Sequence, residues 1–185
     1  MSGRTNTYWN SYLPVFFDRM SSLMRSHMTE IVDNYGLTSA HAIYLIALRI
    51  NGPMTQRELS HFLDMDPANT NRVVKTLKEK GMIYDDRSTE DGKNYKIFLN
   101  RIGSQLADEV MKSTDEWMDS IMADVPFEDV MHLRNILIGI LVKMDPKLED
   151  YMNSENTSYY YTYLSLNAAD DGWKYHVSNR TEDDE

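Results

Sequence analysis

A mainly helical α+β fold is predicted by three observations. Long apolar stripes at helical spacing flank the chain's middle, two short capped helices lie between them, and the apolar period changes to two after Gly81. With 185 residues, 42% of them hydrophobic, the chain has the size and apolar content of one ordinary domain with an appendage.

From about Trp9 to Tyr35, the residues Leu13, Phe16, Phe17, Met20, Leu23, Met24, Met28, Ile31 and Val32 recur at helical spacing, and Gly36 ends that helix. Thr38 or Ser39 caps the next, in which Ile43, Tyr44, Ile46, Ala47 and Ile50 lead to a break at Asn51 and Gly52. Thr55 and Glu58 form a T-x-x-E capping box that starts a short helix with Leu59, Phe62 and Leu63 inward. Asp64 and Met65 make the turn. Asp66 is the N-cap of the following helix, because its carboxylate can accept a backbone N–H, and Pro67 suits the first helical position because it has no N–H and a fixed φ. Gly81 closes that helix, and Val73, Val74 and Leu77 form its buried stripe.

Met82, Ile83 and Tyr84 then begin a strand, and Tyr95, Ile97 and Leu99 alternate with Lys96 and Phe98 in a second. The polar residues 86–94 join the two. Beyond them, a long helix over 102–122 has Leu106, Val110, Trp117, Met118 and Ile121 inward. Pro126 starts a last helix, with Val130, Leu133, Leu137, Ile140, Leu141 and Met144 in a 3-4 pattern that Pro146 stops.

Two short capped helices followed by a charged hairpin read as a winged helix-turn-helix, a geometry that delivers its second helix to a DNA major groove. The candidate contacts to bases and phosphates are Asn69, Thr70, Asn71, Arg72, Lys75 and Thr76, since Asn can pair bidentately with adenine and Arg with guanine. Gln56 and Arg57 add possible phosphate contacts from the preceding helix, and Arg87, Lys93 and Lys96 supply the basic groups of the wing. Lys78 and Lys80 sit near a helix C-terminus, where the helix dipole accounts for them without DNA.

The segments M-T-Q-R-E-L-S-H-F-L at 54–63, N-R-V-V-K-T-L-K-E-K-G at 71–81 and D-G-K-N-Y-K-I-F-L-N-R-I-G at 91–103 resemble the positioning helix, recognition helix and wing of the MarR family of dimeric transcription regulators. The resemblance covers roughly residues 8–144. It implies a homodimer, binding to a pseudo-palindromic operator, and repression. It also implies release by a small aromatic or anionic ligand in a crevice that Phe16, Tyr35, His41, Tyr44 and Arg49 would line. Three positions depart from the family pattern. Lys93 replaces the wing Arg, Asp85 stands where a basic residue commonly follows the recognition helix, and Asn100 replaces a Thr. Because Lys is a hydrated point charge and not a planar fork, pairing between Asp91 and Lys93 should be looser than an Asp–Arg pair.

The expected organisation is a helical dimerisation region at 1–35 and 102–145, a winged helix-turn-helix at 36–101, and an aromatic and acidic extension at 146–185. The flanking helices carry more apolar surface than a small head can cover, so burial between two chains is expected. The net charge of −10 opposes phosphate binding as an average, but it is unevenly spread: residues 1–101 carry +2 and residues 102–185 carry −12. The head itself is near neutral. The absence of Cys excludes thiol redox sensing and thiolate metal sites, and the scattered histidines show no chelating pattern, so no metal or cofactor is expected. No phosphate loop, nucleophile elbow or catalytic acid pair appears, which excludes the common enzyme classes. No signal-peptide core or membrane-length apolar run is read, so a cytoplasmic protein is expected. The alternative is a winged-helix protein-interaction module in which Asp85 and Asp86 weaken DNA binding.

Overall fold

The computed structural model describes residues 4–87 and 95–145, with side chains from residue 12 onward. The wing tip with Asp91 and Lys93, the stop at Pro146 and the extension 146–185 lie outside the described residues. The chain divides into two compact units. One comprises the described residues of 1–60 and 65–120, and the other 61–64 with 121–145.

Helix α1 (Arg4–Val32) passes into a 3-10 turn, Asp33–Tyr35, that ends at Gly36 with φ of 65°, a left-handed conformation that suits glycine. Helix α2 (Ser39–Asn51) begins at a capping box in which Thr38 N–H donates to His41 Nδ1 at 3.2 Å. It supplies the centre of the core through Ala42, Tyr44, Leu45, Ile46, Ala47 and Leu48. Ile50, expected inward, is exposed, and Leu45 and Leu48 take inward positions instead. The helix is buried on more than one face because both α4 (Pro67–Glu79) and β3 (Lys96–Leu99) pack against it.

The sheet is antiparallel, three-stranded and ordered β1-β3-β2, with β1 at Met54–Thr55 and β2 at Ile83–Asp85. The central strand β3 pairs Ile97 with Met54 on one side and Phe98 with Tyr84 on the other. β1 is an addition to the elements read from sequence. Its two residues acquire a strand partner only when β3 returns beside them, and no local pattern encodes that.

Helix α3 (Gln56–Phe62) starts at the expected box, with Thr55 N–H donating to Glu58 Oε2 at 2.7 Å and Glu58 N–H to Thr55 Oγ1 at 3.2 Å. Glu58 is held below the usual carboxylate range by the Thr55 backbone bond first, then by the Thr55 hydroxyl and nearby Lys96. The turn that follows places Asp64 at φ 49°.

Helix α5 (Arg101–Met122) is bound tightly to the sheet at its start. Asn100 Oδ1 accepts the Gly103 N–H at 2.9 Å, and the Asn100 amide donates to the Gly81 carbonyl. A Cβ on Gly103 would lie 2.1 Å from the Met82 carbonyl oxygen, so only glycine permits this approach. Asn100, read from sequence as a departure from a Thr, is therefore an N-cap that also secures the end of α4. Leu106, Ala107, Val110 and Met111 are buried along α5, but Trp117 and Met118, expected inward, are half-buried, and Ile121 is exposed. Of the far half of α5, Trp117 stacks on His27 of α1 at 4.5 Å, while the His27 ring N–H donates to the Ser113 carbonyl at 3.3 Å.

In the second unit, α6 (Phe127–Met144) has no buried residue. Phe127, Leu133, Ile136, Leu141 and Met144 are exposed. In α1, Tyr12, Val15, Phe16, Phe17, Met20, Leu23 and Met24 are exposed as well.

Candidate nucleic-acid interface

Helix α4 has a sharply defined start. Asp66 Oδ1 accepts the N–H groups of Ala68 at 2.8 Å and Asn69 at 3.1 Å, and Pro67 occupies the first helical position. Its buried stripe is Thr70, Val73, Val74 and Leu77. Thr70, expected among the DNA contacts, belongs to this interior face: it is fully buried, and its hydroxyl lies 3.0 Å from Tyr44 Oη in a buried hydrogen bond. A side chain so enclosed cannot reach a base edge, so Thr70 is removed from the interface.

The opposite face is polar and open. Asn71, Arg72 and Lys75 are exposed, with Asn69 and Thr76 half-buried beside them. Arg72 Nη2 donates to Asn69 Oδ1 at 2.6 Å, one turn apart, which holds the guanidinium against the N-terminal end of the helix. Thr76 Oγ1 donates back to the Arg72 carbonyl at 3.1 Å, so its hydroxyl is engaged with its own helix. Lys75 reaches Glu79 at 3.8 Å through an exposed pair that solvent screens strongly.

The wing base joins this face. Arg87 lies over the Tyr95 ring, 4.0 Å from its centroid, and Tyr95 Oη donates to Gln56 Oε1 at 3.3 Å. One aromatic side chain thus ties the wing cation to the first residue of α3. Arg57 and Lys96 are exposed nearby in sequence and strand, while Lys93 lies outside the described residues. Asp85 holds Lys78 at 2.6 Å and Arg87 at 3.5 Å. Its carboxyl is kept below the usual range, first by the Lys78 hydrogen bond and then by the charges of Lys78 and Arg87. Sequence reasoning assigned Lys78 to the helix dipole and overlooked this partner. An acid seven residues on, just across the turn that Gly81 makes into β2, was the available signal. Asp86 closes the hairpin, its Oδ1 accepting the Lys96 N–H at 2.7 Å.

The five residues expected to line a ligand crevice are not assembled as one. Tyr44 is interior and its hydroxyl bonds to Thr70; Arg49 pairs with Asp108 at 2.8 Å; His41 caps α2. Phe16 and Tyr35 are exposed. A cavity of about 680 Å³ opens along α1 instead, lined by polar residues that include Arg25, Glu30, Asp33 and Ser39, with none of the five among them. Tyr44 is corrected from pocket to core.

The architecture matches a known group of proteins. A model of the MarR family matches residues 35–93, the segment that runs from the start of α2 through the helix-turn-helix into the wing. Over those residues the chain is similar to the MarR family. Members of the MarR family are transcriptional regulators and not enzymes. The HTH-type transcriptional regulator YwoH of Bacillus subtilis is 26% identical over 123 residues, which span 66% of this chain and 89% of that protein. The regulator YdgJ of the same organism is 26% identical over 109 residues, 59% of this chain and 64% of its own. Among solved structures, MepR of S. aureus in complex with DNA superposes with a TM-score of 0.62 at 18% identity, covering 71% of this chain and 96% of MepR. A MarR regulator from Methanosarcina mazei superposes with a TM-score of 0.61 at 20% identity, over 75% of this chain and 98% of its own. Those superpositions show a shared fold. Among the described residues, no helix is long and apolar enough to cross a membrane.

Proposed function

We propose that this protein is a homodimeric MarR-family repressor that binds a pseudo-palindromic DNA operator, with α4 in the major groove and the wing base of Arg87 and Lys96 against the neighbouring backbone. The observation that carries the reading is the division of α4 into two faces. Thr70, Val73, Val74 and Leu77 fix it to the core, while Asn69, Asn71, Arg72 and Lys75 present donors and acceptors suited to base edges and phosphates. Gln56 and Arg57, at the start of α3, would add backbone contacts. MepR, which shares the fold, was solved on DNA.

Residues 1–35 and 102–145 would form the dimerisation region and 36–101 the DNA-binding domain, with 146–185 as an extension. The exposed apolar rows on α1 and α6 support this division, because such rows normally mark an interaction surface. Two heads related by a twofold would meet half-sites roughly 34 to 36 Å apart. A dimer seated across such a site would exclude polymerase from it, which is the basis for proposing repression. With DNA as its partner, the protein would act in the cytoplasm. Of the residues expected to bind an effector, Tyr44 lies in the core, His41 caps α2 and Arg49 pairs with Asp108, while Phe16 and Tyr35 are exposed.

The test is binding to the DNA upstream of its own gene, measured across salt concentrations. A sequence-specific complex whose log affinity falls linearly with log salt is expected, and Arg72→Ala should cost about 1 to 3 kcal/mol at the cognate site. If no genomic fragment is bound even at low salt, the DNA reading falls and the protein-interaction module takes its place.

A further inference from the structure

The wing base carries a feature that DNA binding by itself does not call for. Asp85, only 12% exposed, faces two cations that would otherwise be free to meet phosphate. Lys78 Nζ donates to Asp85 Oδ2 at 2.6 Å, and Arg87 Nη2 lies 3.5 Å from the same oxygen. The carboxylate sits on the last residue of β2, where the strand leaves for the wing. Arg87 is held on its other side by the Tyr95 ring. The three charged groups together carry a net +1 where the two cations alone would carry +2. The other basic residues described within 36–101 are Arg49, Arg57, Arg72, Lys75, Lys80, Lys96 and Arg101, of which Arg72 and Lys75 share α4 with Lys78. Asp85 has two of the head's cations within 4 Å, whereas Glu79 and Asp108 each hold one.

We infer that Asp85 is an electrostatic brake: it withholds Lys78 and Arg87 from phosphate and so lowers sequence-independent DNA affinity relative to operator affinity. The physical basis is that non-specific binding comes almost wholly from cation–phosphate contacts, whereas discrimination comes from base edges. A charge that competes for cations at the wing base weakens binding to every sequence and leaves the Asn69, Asn71 and Arg72 face untouched. The inference rests on the proposed DNA-binding function and deepens it by naming a residue that sets specificity.

The decisive variant is D85N. It is nearly isosteric, so it changes charge with little change in shape. Binding of the full-length protein to a random-sequence duplex and to the operator duplex is measured at several salt concentrations. For the random duplex, D85N should bind roughly fivefold or more tightly at 0.1 M salt, and its log–log salt slope should steepen by about one for each cation released. The ratio of operator to random affinity should fall. D86N removes the same formal charge beside the cluster without freeing either cation, and it should move the random-duplex affinity much less. Thermal melts of both variants establish that they are folded. Equal salt slopes for D85N and the parent protein, or an equal effect from D86N, would overturn the brake while leaving DNA binding intact. Absence of binding to any duplex by both parent and D85N would overturn the DNA reading and the brake together.

Discussion

Thr70 is where a single side chain decides what the recognition helix can offer. Its hydroxyl and that of Tyr44 satisfy one another inside the core, 3.0 Å apart. Removing one partner leaves the other buried without a hydrogen bond, a loss of about 1 to 3 kcal/mol. Thr70→Val keeps the shape and deletes the hydroxyl, so urea denaturation should show a loss of that size while the folded protein keeps its DNA affinity. A drop in affinity without a drop in stability would return Thr70 to the interface. The misplacement of Thr70 is instructive, because positions 70, 73, 74 and 77 already have the spacing of one helical stripe. A polar type at the first of them concealed an inward position that the spacing alone reveals. Arg72 shows the reverse case: its exposure followed from the stripe, but its bond to Asn69 depends on rotamers that no sequence pattern specifies.

At the level of elements, what was legible was what is locally encoded. The Thr55–Glu58 box, the Asp66 cap with Pro67, and the glycines at 36 and 81 each act within a few residues of themselves, and the helices begin and end beside them. The strand β1 and the pairing of Lys78 with Asp85 depend on segments meeting in space, and they were not visible. The cap of α2 combines both kinds of information, since Thr38 was recognisable as a cap but His41 as its partner was not. His41 Nδ1 accepts the Thr38 N–H, a role open only to the unprotonated nitrogen. Burial, reinforced by the charge of Lys80, holds His41 below its ordinary value of 6.5. Between the folded value and 6.5 the unfolded chain therefore binds more protons than the folded one. Stability contributed by this group is full above pH 6.5 and declines as pH falls through that window. His41→Gln keeps an acceptor that does not titrate, so urea midpoints measured from pH 8 to pH 5 should decline less steeply than those of the parent. Parallel curves would show that His41 is not linked to folding.

Over the whole molecule, much of the apolar rows read from sequence is exposed in the single chain: Phe16, Phe17, Met20, Leu23 and Met24 on α1, and Leu133, Leu141 and Met144 on α6, whereas Val32 is buried. That pattern could not be sorted into core and interface from sequence, because spacing shows that a helix has an apolar face and not which chain covers it. If two chains supply the cover, as proposed, replacing Leu133 and Ile136 by Lys should convert the dimer to a folded monomer in sedimentation experiments. Operator affinity would then fall sharply while circular dichroism stays helical. A variant that sediments as the parent does would exclude this part of α6 from the dimer contact. The weld at Gly103 has a mechanical meaning at this scale. Because Asn100 bonds both the Gly81 carbonyl just past α4 and the first turn of the 22-residue α5, a change in the direction of α5 would be passed to α4 as by a lever. At 1.5 Å per residue the arm is about 33 Å long. A tilt of roughly 5° about its far end would sweep the head through about 3 Å, as much as the whole length of a hydrogen bond.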